Sequence, residues 1–252
     1  MSGADHVVRS RRVYSESAAR YAATVGTAIS PTFEASLDRA ILEVFAASCR
    51  AVGGAVIDAG CGTGRVARFV ADLDLDVLGV DVAPGMVDAA RRAHPDLRFE
   101  LAELTDLPAA DSSIVGVAYW YSIITTPPSE LAAVWSELAR VLASGGSALV
   151  AFQSGAGEEV TRPDAYGTDT DLTLYRHSVD SVCAALSGAG LTVESVTRRV
   201  PQLPHETTVQ TFVLAARPTA SPAGRSRSTS EHQAAPRRRS TSWAVWAGGT
   251  AD

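Results

Sequence analysis

Three glycines and an aspartate near residue 60 have the types and spacing needed to hold a nucleotide-like ligand. Gly60, Gly62 and Gly64 alternate with other residues directly after the apolar run 56–57, and Asp58 lies between that run and the glycines. Glycine lets a backbone turn sharply and approach a ligand where a side chain would collide. Asp58 is placed at the strand end to accept hydrogen bonds from the ligand or from the loop amides. The segment is therefore predicted to bind a cofactor.

A second acidic residue follows at a distance that is typical of ribose recognition. Asp81 ends the apolar run 77–80 and comes 17 residues after Gly64. A carboxylate in this place suits a bidentate hydrogen bond to the two hydroxyls of a ribose. The glycine spacing, however, differs from the G-x-G-x-x-G pattern of dinucleotide-binding folds. These residues therefore favour a nucleoside ligand over a dinucleotide.

The pattern Asp-x-Gly-x-Gly-x-Gly, followed by an acid at the end of the next strand, resembles motif I and its partner in class I S-adenosylmethionine-dependent methyltransferases. Residues 97–108 look like the third strand and adenine-contacting loop of that family. Residues 140–150 look like its helix, Gly-Gly turn and fifth strand. The resemblance covers about residues 10 to 217 and extends to the small-molecule branch related to ubiquinone and menaquinone biosynthesis. It implies S-adenosyl-L-methionine as the cofactor and a small molecule as methyl acceptor.

The resemblance also implies which residues hold the cofactor. Asp81 would hold the ribose, and Glu103 and the Leu104 amide would contact the adenine edge. The glycine loop would run alongside the methionine portion. The full predicted set is Asp58, Gly60, Cys61, Gly62, Gly64, Asp81, Val82, Glu103, Leu104, Tyr119, Tyr14 and Tyr21. Two departures stand out: the family often has Asp where Glu103 stands, and Val115 replaces an acid expected in the fourth strand. No metal site is expected, because the cysteine spacing does not suit one.

Alternation of strands and helices predicts a parallel sheet with crossovers. The predicted helices are 15–24, 32–49, 64–72, 84–93, 128–142 and 179–188, the second opening at Ser30-Pro31 and the last capped by Ser178. The predicted strands are 55–59, 76–81, 97–101, 114–120 and 147–152, followed by an antiparallel pair at 191–199 and 208–215. The expected fold is an α/β, Rossmann-like three-layer sandwich with a mostly parallel seven-stranded sheet and a C-terminal antiparallel hairpin.

The methyl acceptor is expected at the carboxyl ends of the parallel strands, where open α/β sheets bind their ligands. The methyl group of a sulfonium is already activated, so positioning and exclusion of water carry most of the catalysis. For a hydroxyl acceptor a general base would help, and His205, Glu206 and His177 are the candidates. Each histidine equally suits a loop or cap role without catalytic duty, and His6 is assigned to a mobile terminus.

Aromatic residues provide further candidates for the pocket wall. Tyr119-Trp120-Tyr121 closes the fourth strand, where alternation predicts that Tyr119 and Tyr121 share one side. At least one of the three is expected to face the pocket. The amino-terminal helix with Tyr14 and Tyr21, together with the polar segment 154–177, is interpreted as a possible lid. A surface helix whose tyrosines pack on the core is the alternative.

Composition favours a cytoplasmic bacterial enzyme. No apolar run is long enough to span a bilayer, and the three cysteines form no paired framework. All 22 basic residues are arginine, and lysine and asparagine are absent, which indicates high-GC coding. The net charge of −6 argues against nucleic-acid substrates. Two other functions stay open: a catalytically idle S-adenosylmethionine-binding protein and, with weaker support, a nicotinamide-dependent oxidoreductase.

Residues 1–217 are predicted to form the methyltransferase domain, with a helical cap at about 10–50, and residues 218–252 a disordered basic tail rich in Ser, Pro and Arg. The tail carries five arginines against two acids: Arg225, Arg227, Arg237, Arg238 and Arg239 against Glu231 and Asp252. Such a composition has no periodic apolar pattern with which to dock on a core.

Deletion of residues 218–252 is expected to leave folding and cofactor binding unchanged, because nothing in that composition predicts contacts with the core. Thermal unfolding and calorimetric titration with S-adenosylhomocysteine, applied to the full and the shortened chain, measure both properties. A melting temperature several degrees lower for the shortened chain would contradict the prediction.

Overall fold

The computed structural model describes residues 3–219, with side chains from residue 6 onward, so residues 220–252 of the predicted tail lie outside the described part. The helices are α1 (Gly3–Val25), α2 (Ser36–Val52), α3 (Arg65–Ala71), α4 (Pro84–Ala93), α5 (Leu131–Val141) and α6 (Val179–Gly188). The strands are β1 (Ala55–Ala59), β2 (Asp76–Asp81), β3 (Arg98–Leu101), β4 (Ile114–Trp120), β5 (Leu142–Gln153), β6 (Glu159–Arg162), β7 (Leu172–Tyr175), β8 (Thr192–Arg199) and β9 (Gln210–Ala216). Short 3-10 turns occupy Ile123–Thr125, Pro128–Glu130 and Ala165–Gly167. None of these helices has the length and hydropathy needed to cross a membrane.

A seven-stranded sheet of order β3-β2-β1-β4-β5-β9-β8 forms the centre of the domain. Strands β1 to β5 pair in parallel, whereas β9 runs antiparallel to both β5 and β8. Strand β8 therefore points the same way as the parallel strands, and its carboxyl end lies at the same sheet edge as theirs. The predicted mostly parallel sheet with a C-terminal antiparallel hairpin is confirmed.

Both faces of the sheet are covered, because its central strand alternates between two apolar layers. On β4, Val117 and Tyr119 belong to the layer formed with α5 and α6. Ala118 and Trp120 belong to the layer formed with α2, α3 and α4. Every residue of β4 is buried, as expected for a strand packed on both faces. The predicted three-layer α/β sandwich is confirmed.

Helix α2 begins later than predicted. The sequence pattern favoured a start at residue 32 with Ser30 as the cap, but the helix begins at Ser36. The carboxylate of Asp38 accepts a hydrogen bond of 3.0 Å from the backbone N–H of Ala35. A side chain inside the first turn therefore satisfies the helix entrance, and the serine cap predicted from sequence is wrong.

The segment 154–177, which reads as a polar loop, contains a second small sheet. Strands β6 and β7 pair antiparallel across four residues each. All of β7 is buried, and Leu172 and Leu174 pack with Val13 of α1. Helix α1 is also longer than the predicted span 15–24. The segment 154–177, between β5 and α6, is therefore attached to α1 by its own apolar contact.

A buried ion cluster attaches the C-terminal hairpin to α2. Nε and Nη2 of Arg199 each donate to a carboxylate oxygen of Asp38 at 2.7 Å. Nη1 of Arg199 donates to Oε2 of Glu206 at 2.8 Å, and that oxygen also accepts from the N–H groups of Gln202 and Leu203. The three ionic side chains are almost completely buried. Removal of the Glu206 charge would therefore break a buried ion pair and weaken the hydrogen bonds that Arg199, Gln202 and Leu203 donate to it.

Substitution Glu206→Gln is expected to lower the free energy of unfolding at pH 7 by about 3 kcal/mol, the scale for breaking a buried ion pair. Burial alone would raise the pKa of Glu206, but hydrogen bonds from Arg199, Gln202 and Leu203 outweigh it and lower the pKa to about 2. A carboxyl whose pKa is lower in the folded state stabilises the fold above its ordinary pKa of 4.5, and this contribution is lost as the pH falls towards 2. Urea unfolding of both proteins should show a difference that shrinks between about pH 5 and pH 2.

The matched control is Glu194→Gln, which removes an exposed carboxylate from β8. Its free energy of unfolding should stay within about 0.5 kcal/mol of wild type. If both variants were equally stable at pH 7, the ion cluster would not hold the hairpin.

Candidate functional site

A cavity of about 700 Å³ opens at the sheet edge where β1, β2 and β4 end. Its volume is typical of a small-molecule site. The walls come from α1, from the loops after β1 to β4, and from the first turn of α5. Eight of the twelve predicted cofactor residues line it: Tyr14, Tyr21, Gly60, Gly62, Asp81, Val82, Glu103 and Leu104. The other four, Asp58, Cys61, Gly64 and Tyr119, lie outside its lining.

The glycine loop after β1 depends on the absence of side chains. The backbone φ angles of Gly60 and Gly62 are +80° and +53°, a region that L residues rarely adopt. A Cβ on Gly60 would overlap the Cβ of Ser122, which follows β4. A Cβ on Gly62 would meet no atom within 4 Å. The first glycine thus permits close packing of two loops, and the second leaves the backbone open to a ligand.

Three predicted cofactor residues around this loop have structural roles instead. The carboxylate Oδ2 of Asp58 accepts a hydrogen bond of 2.9 Å from the N–H of Ala67 in α3, and burial raises the pKa of Asp58 to about 7. The side chain of Cys61 is buried in the apolar layer. A Cβ on Gly64 would lie 2.8 Å from the ring of Phe99, so this glycine permits packing of α3 on the sheet. These residues shape the loop without lining the cavity.

Asp81 ends β2 at the cavity wall and connects two loops. Its Oδ2 accepts a hydrogen bond from the N–H of Gly62, and its Oδ1 accepts one from the N–H of Ala83, each at 2.9 Å. Burial raises the pKa of Asp81, and the two backbone donors counteract that shift. The carboxylate is therefore oriented by the backbone while it remains on the cavity surface.

An arginine that the sequence did not single out lies beside the predicted adenine contact. Arg11 of α1 donates from Nη2 to Oε1 of Glu103 at 2.9 Å and from Nε to the carbonyl of Val82 at 3.3 Å. The Arg11 and Glu103 side chains are each more than two-fifths exposed, so the ion pair is solvent-screened. Contact between α1 and the loop after β3 was not visible in sequence, because 92 residues separate the partners.

Two tyrosines of the wall, Tyr14 and Tyr21, pack against a third, Tyr166, which lies outside the lining. The ring centroids of Tyr14 and Tyr21 lie 6.2 Å apart, and both contact the ring of Tyr166, at 5.7 Å and 5.3 Å. Burial raises the pKa of both α1 tyrosines, that of Tyr21 to about 12. Their hydroxyls therefore stay protonated at neutral pH. The two segments interpreted from sequence as a lid, α1 and residues 154–177, are in contact with each other here.

The end of β4 differs from the prediction. Tyr119 is fully buried and packs edge-to-face on Trp135 of α5 at 5.5 Å, so its predicted contact with the cofactor is not supported. Tyr121 does not share its side, because a φ angle of +58° ends the strand alternation. Tyr121 instead packs against Trp120 and Phe212 and lines the cavity.

The structure places the three catalytic candidates away from the cavity lining. Glu206 belongs to the buried ion cluster with Arg199, and His205 packs on the ring of Phe33 at 4.9 Å. Nε2 of His177 lies 3.0 Å from the carbonyl of Ile123, and burial lowers the pKa of this histidine. The loop after β8 does lie at the predicted sheet edge, but buried charge pairing directs its acidic side chain towards α2. A general-base role for these three residues is therefore not supported.

A histidine that was assigned to a mobile terminus does line the cavity. His6 lies in the early part of α1, and its Nδ1 is 3.4 Å from Oε2 of Glu130. Both residues are part of the cavity wall. No local pattern pointed to this pair, since 124 residues separate its members. Within residues 3–219, no group of three or more His, Cys, Asp or Glu residues is arranged to hold a metal ion.

The fold, the glycine loop and the carboxylate at the end of β2 define a class I methyltransferase architecture. Residues 56–146 match a family model described as a methyltransferase domain. Over this segment the predicted resemblance to S-adenosylmethionine-dependent methyltransferases is confirmed.

Two curated relatives have named acceptors. Demethylmenaquinone methyltransferase from Beutenbergia cavernae is 36% identical over 99 residues, which cover 39% of this chain and 40% of that protein. Malonyl-acyl-carrier-protein O-methyltransferase from Serratia marcescens is 33% identical over 94 residues, which cover 37% of this chain and 36% of that protein. The chain thus matches two-fifths or less of the length of these two relatives.

Solved structures share the fold over a larger part of the chain. Magnesium protoporphyrin IX methyltransferase from Synechocystis PCC 6803, determined with bound SAM, has a TM-score of 0.62 and 17% identity and covers 84% of this chain and 97% of its own. An S-adenosylmethionine-dependent methyltransferase from Mesorhizobium loti has a TM-score of 0.55 and 21% identity and covers 70% of this chain and 100% of its own.

Substitution Gly60→Ala is expected to destabilise the protein more than Gly62→Ala. Alanine is strained at both positions by about 1 kcal/mol, because both φ angles are positive. At position 60 the new Cβ also overlaps Ser122, whereas position 62 faces open space. Thermal unfolding of the two variants measures the difference. A melting temperature for Gly60→Ala at or above that of Gly62→Ala would show that the two loops do not pack as described.

Proposed function

We propose that this protein transfers a methyl group from S-adenosylmethionine to a small-molecule acceptor. The placement of the Asp81 carboxylate carries the proposal. It lies at the end of β2, between the glycine loop after β1 and the Glu103-Leu104 segment after β3, and all three line one cavity. A nucleoside with a short amino-acid arm has the extent and polarity to contact three neighbouring strand ends in this order.

The residues present fit that cofactor. Gly62 leaves the backbone open to a ligand, because no atom lies within 4 Å of where a Cβ would stand. The Oγ of Ser122 is buried in the same cavity without a hydrogen-bond partner among the described residues. A buried hydroxyl in that state costs free energy unless a ligand or water satisfies it. Both features support a polar ligand beside the glycine loop.

Each part of the cofactor has its own proposed contacts. The Asp81 carboxylate would accept from the ribose hydroxyls, and Glu103 with the Leu104 amide would contact the adenine edge. The backbone at Gly60 to Gly62 would run alongside the methionine portion. Arg11 holds Glu103 in place from α1.

The chemistry asks for positioning more than for a reactive side chain. When bound, the sulfonium supplies a methyl group that is already activated for in-line displacement. The chain's own residues align the acceptor and exclude water. Tyr14 and Tyr21 contribute a wall whose hydroxyls donate hydrogen bonds but do not act as bases, since burial raises the pKa of both.

The acceptor is proposed to be a small, largely apolar molecule. Apolar side chains form much of the cavity wall: Val7, Val8, Leu104, Ala132, Ala133 and Val134. Among the described residues the lining contains one arginine, Arg11, which is paired with Glu103. Polyanionic acceptors such as nucleic acids would need free cations to neutralise phosphates. The relatives named above, a demethylmenaquinone and a malonyl-acyl-carrier-protein methyltransferase, support an acceptor other than nucleic acid.

We further propose that the protein acts in the cytoplasm of a bacterium. All three cysteines have free thiols, and two of them, Cys49 and Cys61, are buried. Unpaired thiols are typical of a reducing compartment. The two curated relatives described above come from bacteria, and the exclusive use of arginine supports a high-GC genome.

Substitution Asp81→Asn is expected to weaken binding of S-adenosylhomocysteine by about 1.5 to 3 kcal/mol, the range for hydrogen bonds to a charged acceptor. Isothermal titration calorimetry with S-adenosylmethionine, S-adenosylhomocysteine and NAD measures the affinities, and circular dichroism checks that the variant is folded. Wild type should bind both methionine derivatives more tightly than NAD.

The matched control is Asp76→Asn at the other end of β2, where the carboxylate is exposed and pairs with Arg98. This variant should bind S-adenosylhomocysteine as wild type does. Tighter binding of NAD by wild type, or an unchanged dissociation constant in folded Asp81→Asn, would refute the proposed cofactor contact.

A further inference from the structure

His6 and Glu130 form a partly buried acid–base pair in the cavity wall. Nδ1 of His6 lies 3.4 Å from Oε2 of Glu130, and the two side chains are 12% and 31% exposed. Glu130 ends the 3-10 turn Pro128–Glu130, directly before α5. The contact is within ion-pair distance but is not a hydrogen bond, and Nδ1 of His6 has no hydrogen-bond partner among the described residues. A proton on Nδ1 would face the carboxylate and leave Nε2 as the proton acceptor. The arrangement has the base and orienting group that nucleophile activation requires.

The pair lies on a different part of the wall from the proposed cofactor contacts. Those contacts come from the ends of β1, β2 and β3, whereas Glu130 belongs to the segment between β4 and α5. Along α1, Arg11 bonds Glu103 near the adenine side, and His6 is about 7.5 Å nearer the amino end at roughly 1.5 Å rise per residue. Thr126 and Ser129 line the cavity on the same segment as Glu130. This region is left for the acceptor.

We propose that His6, oriented by Glu130, removes the proton from a hydroxyl group of the acceptor during methyl transfer. The inference rests on the proposed function. As the acceptor oxygen forms its bond to the methyl carbon, the carbon–sulfur bond breaks and its electron pair stays on sulfur, which becomes a neutral thioether. The hydroxyl proton passes to Nε2 of His6, and the imidazolium that results is stabilised by the Glu130 carboxylate. His6 is the catalytic residue, and Glu130 is its positioning residue.

The charged residues of the cavity wall limit the chemical class of the acceptor. The ionisable groups lining the cavity besides His6 and the protonated tyrosines are Arg11, Asp81, Glu103 and Glu130. Three carboxylates disfavour an anionic acceptor, and the guanidinium of Arg11 is already paired. A base is useful only when the nucleophile must lose a proton. The acceptor class is therefore a neutral, largely apolar molecule with a phenolic or enolic hydroxyl.

The test uses 1-naphthol and its neutral isostere 1-naphthylamine with methyl-labelled S-adenosylmethionine and the full chain. Against 1-naphthol, His6→Ala should lose about 100-fold or more in kcat, at the low end of general-base effects. Against 1-naphthylamine, whose nitrogen attacks through its lone pair and loses its proton afterwards, the loss should be within a few-fold. Free imidazole in the buffer should restore part of the activity of His6→Ala towards 1-naphthol, an effect that a structural role would not produce.

Glu130→Gln should lower kcat on 1-naphthol about 10-fold with little change in KM, because the base remains but loses its orienting partner. His6→Gln, which is closer to histidine in size, repeats the test if His6→Ala unfolds. His205→Ala is the matched control, since that histidine lies outside the cavity lining, and it should retain wild-type kcat. Calorimetry should show that every variant binds S-adenosylhomocysteine as wild type does.

The outcomes separate this inference from the proposed function. Failure of wild type to bind S-adenosylhomocysteine would overturn both. Binding without methylation of 1-naphthol would overturn the hydroxyl acceptor class. Wild-type kcat in His6→Ala, or equal losses on 1-naphthol and 1-naphthylamine without rescue by imidazole, would overturn the role of His6.

Discussion

The hydrogen bonds of the buried Asp81 carboxylate are the interaction on which the site depends. One oxygen holds the Gly62 amide from the loop after β1, and the other holds the Ala83 amide at the entrance of α4. A buried carboxylate is tolerated only when such donors replace water. The two loops therefore converge on one residue, and the glycine loop must follow a path with positive φ angles beneath Ser122. The open backbone at Gly62 is a consequence of that path.

Helix α1 forms one wall of the cavity at this sheet edge. Its contacts reach three segments that are far away in sequence: Arg11 pairs with Glu103, Tyr14 and Tyr21 pack on Tyr166, and His6 faces Glu130. The segment 154–177, between β5 and α6, supports α1 through the apolar contact of Val13 with Leu172 and Leu174. The cover of the cavity, the residues on its ribose side and the proposed base therefore all depend on how α1 packs on the sheet edge. Water exclusion and acceptor alignment would both follow from it.

The C-terminal hairpin illustrates how a buried charge decides the use of a loop. The loop after β8 lies at the sheet edge where ligands bind in α/β folds. Its acidic side chain nevertheless serves the fold, because Arg199 is buried at the end of β8 and requires two carboxylates, from Asp38 and Glu206. Without these partners the guanidinium would be an unpaired buried charge, which is strongly destabilising. The position of this loop at the ligand-binding edge therefore does not by itself give its acidic side chain a role in the site.

Local patterns were sufficient for the architecture and for the cavity residues that are proposed to bind the nucleoside. Strand and helix periodicity, glycine spacing and an acid at a strand end are short-range features, so the sheet, the glycine loop, Asp81 and Glu103 were predictable from sequence. The left-handed conformation of Tyr121, by contrast, has no local signal, and it removed the predicted sharing of one side by Tyr119 and Tyr121.

The partners of His6 and Arg11, and the pairing of Arg199 with Asp38, were also beyond the sequence. Each pair joins residues roughly 90 to 160 positions apart, and the packing of α1 on the sheet edge or of the hairpin on α2 selects it. By itself, then, the sequence determined the fold class and the cofactor loop. Only the tertiary structure decided which histidine faces the cavity, because that choice depends on how separate elements pack and not on the order of residues within any one of them.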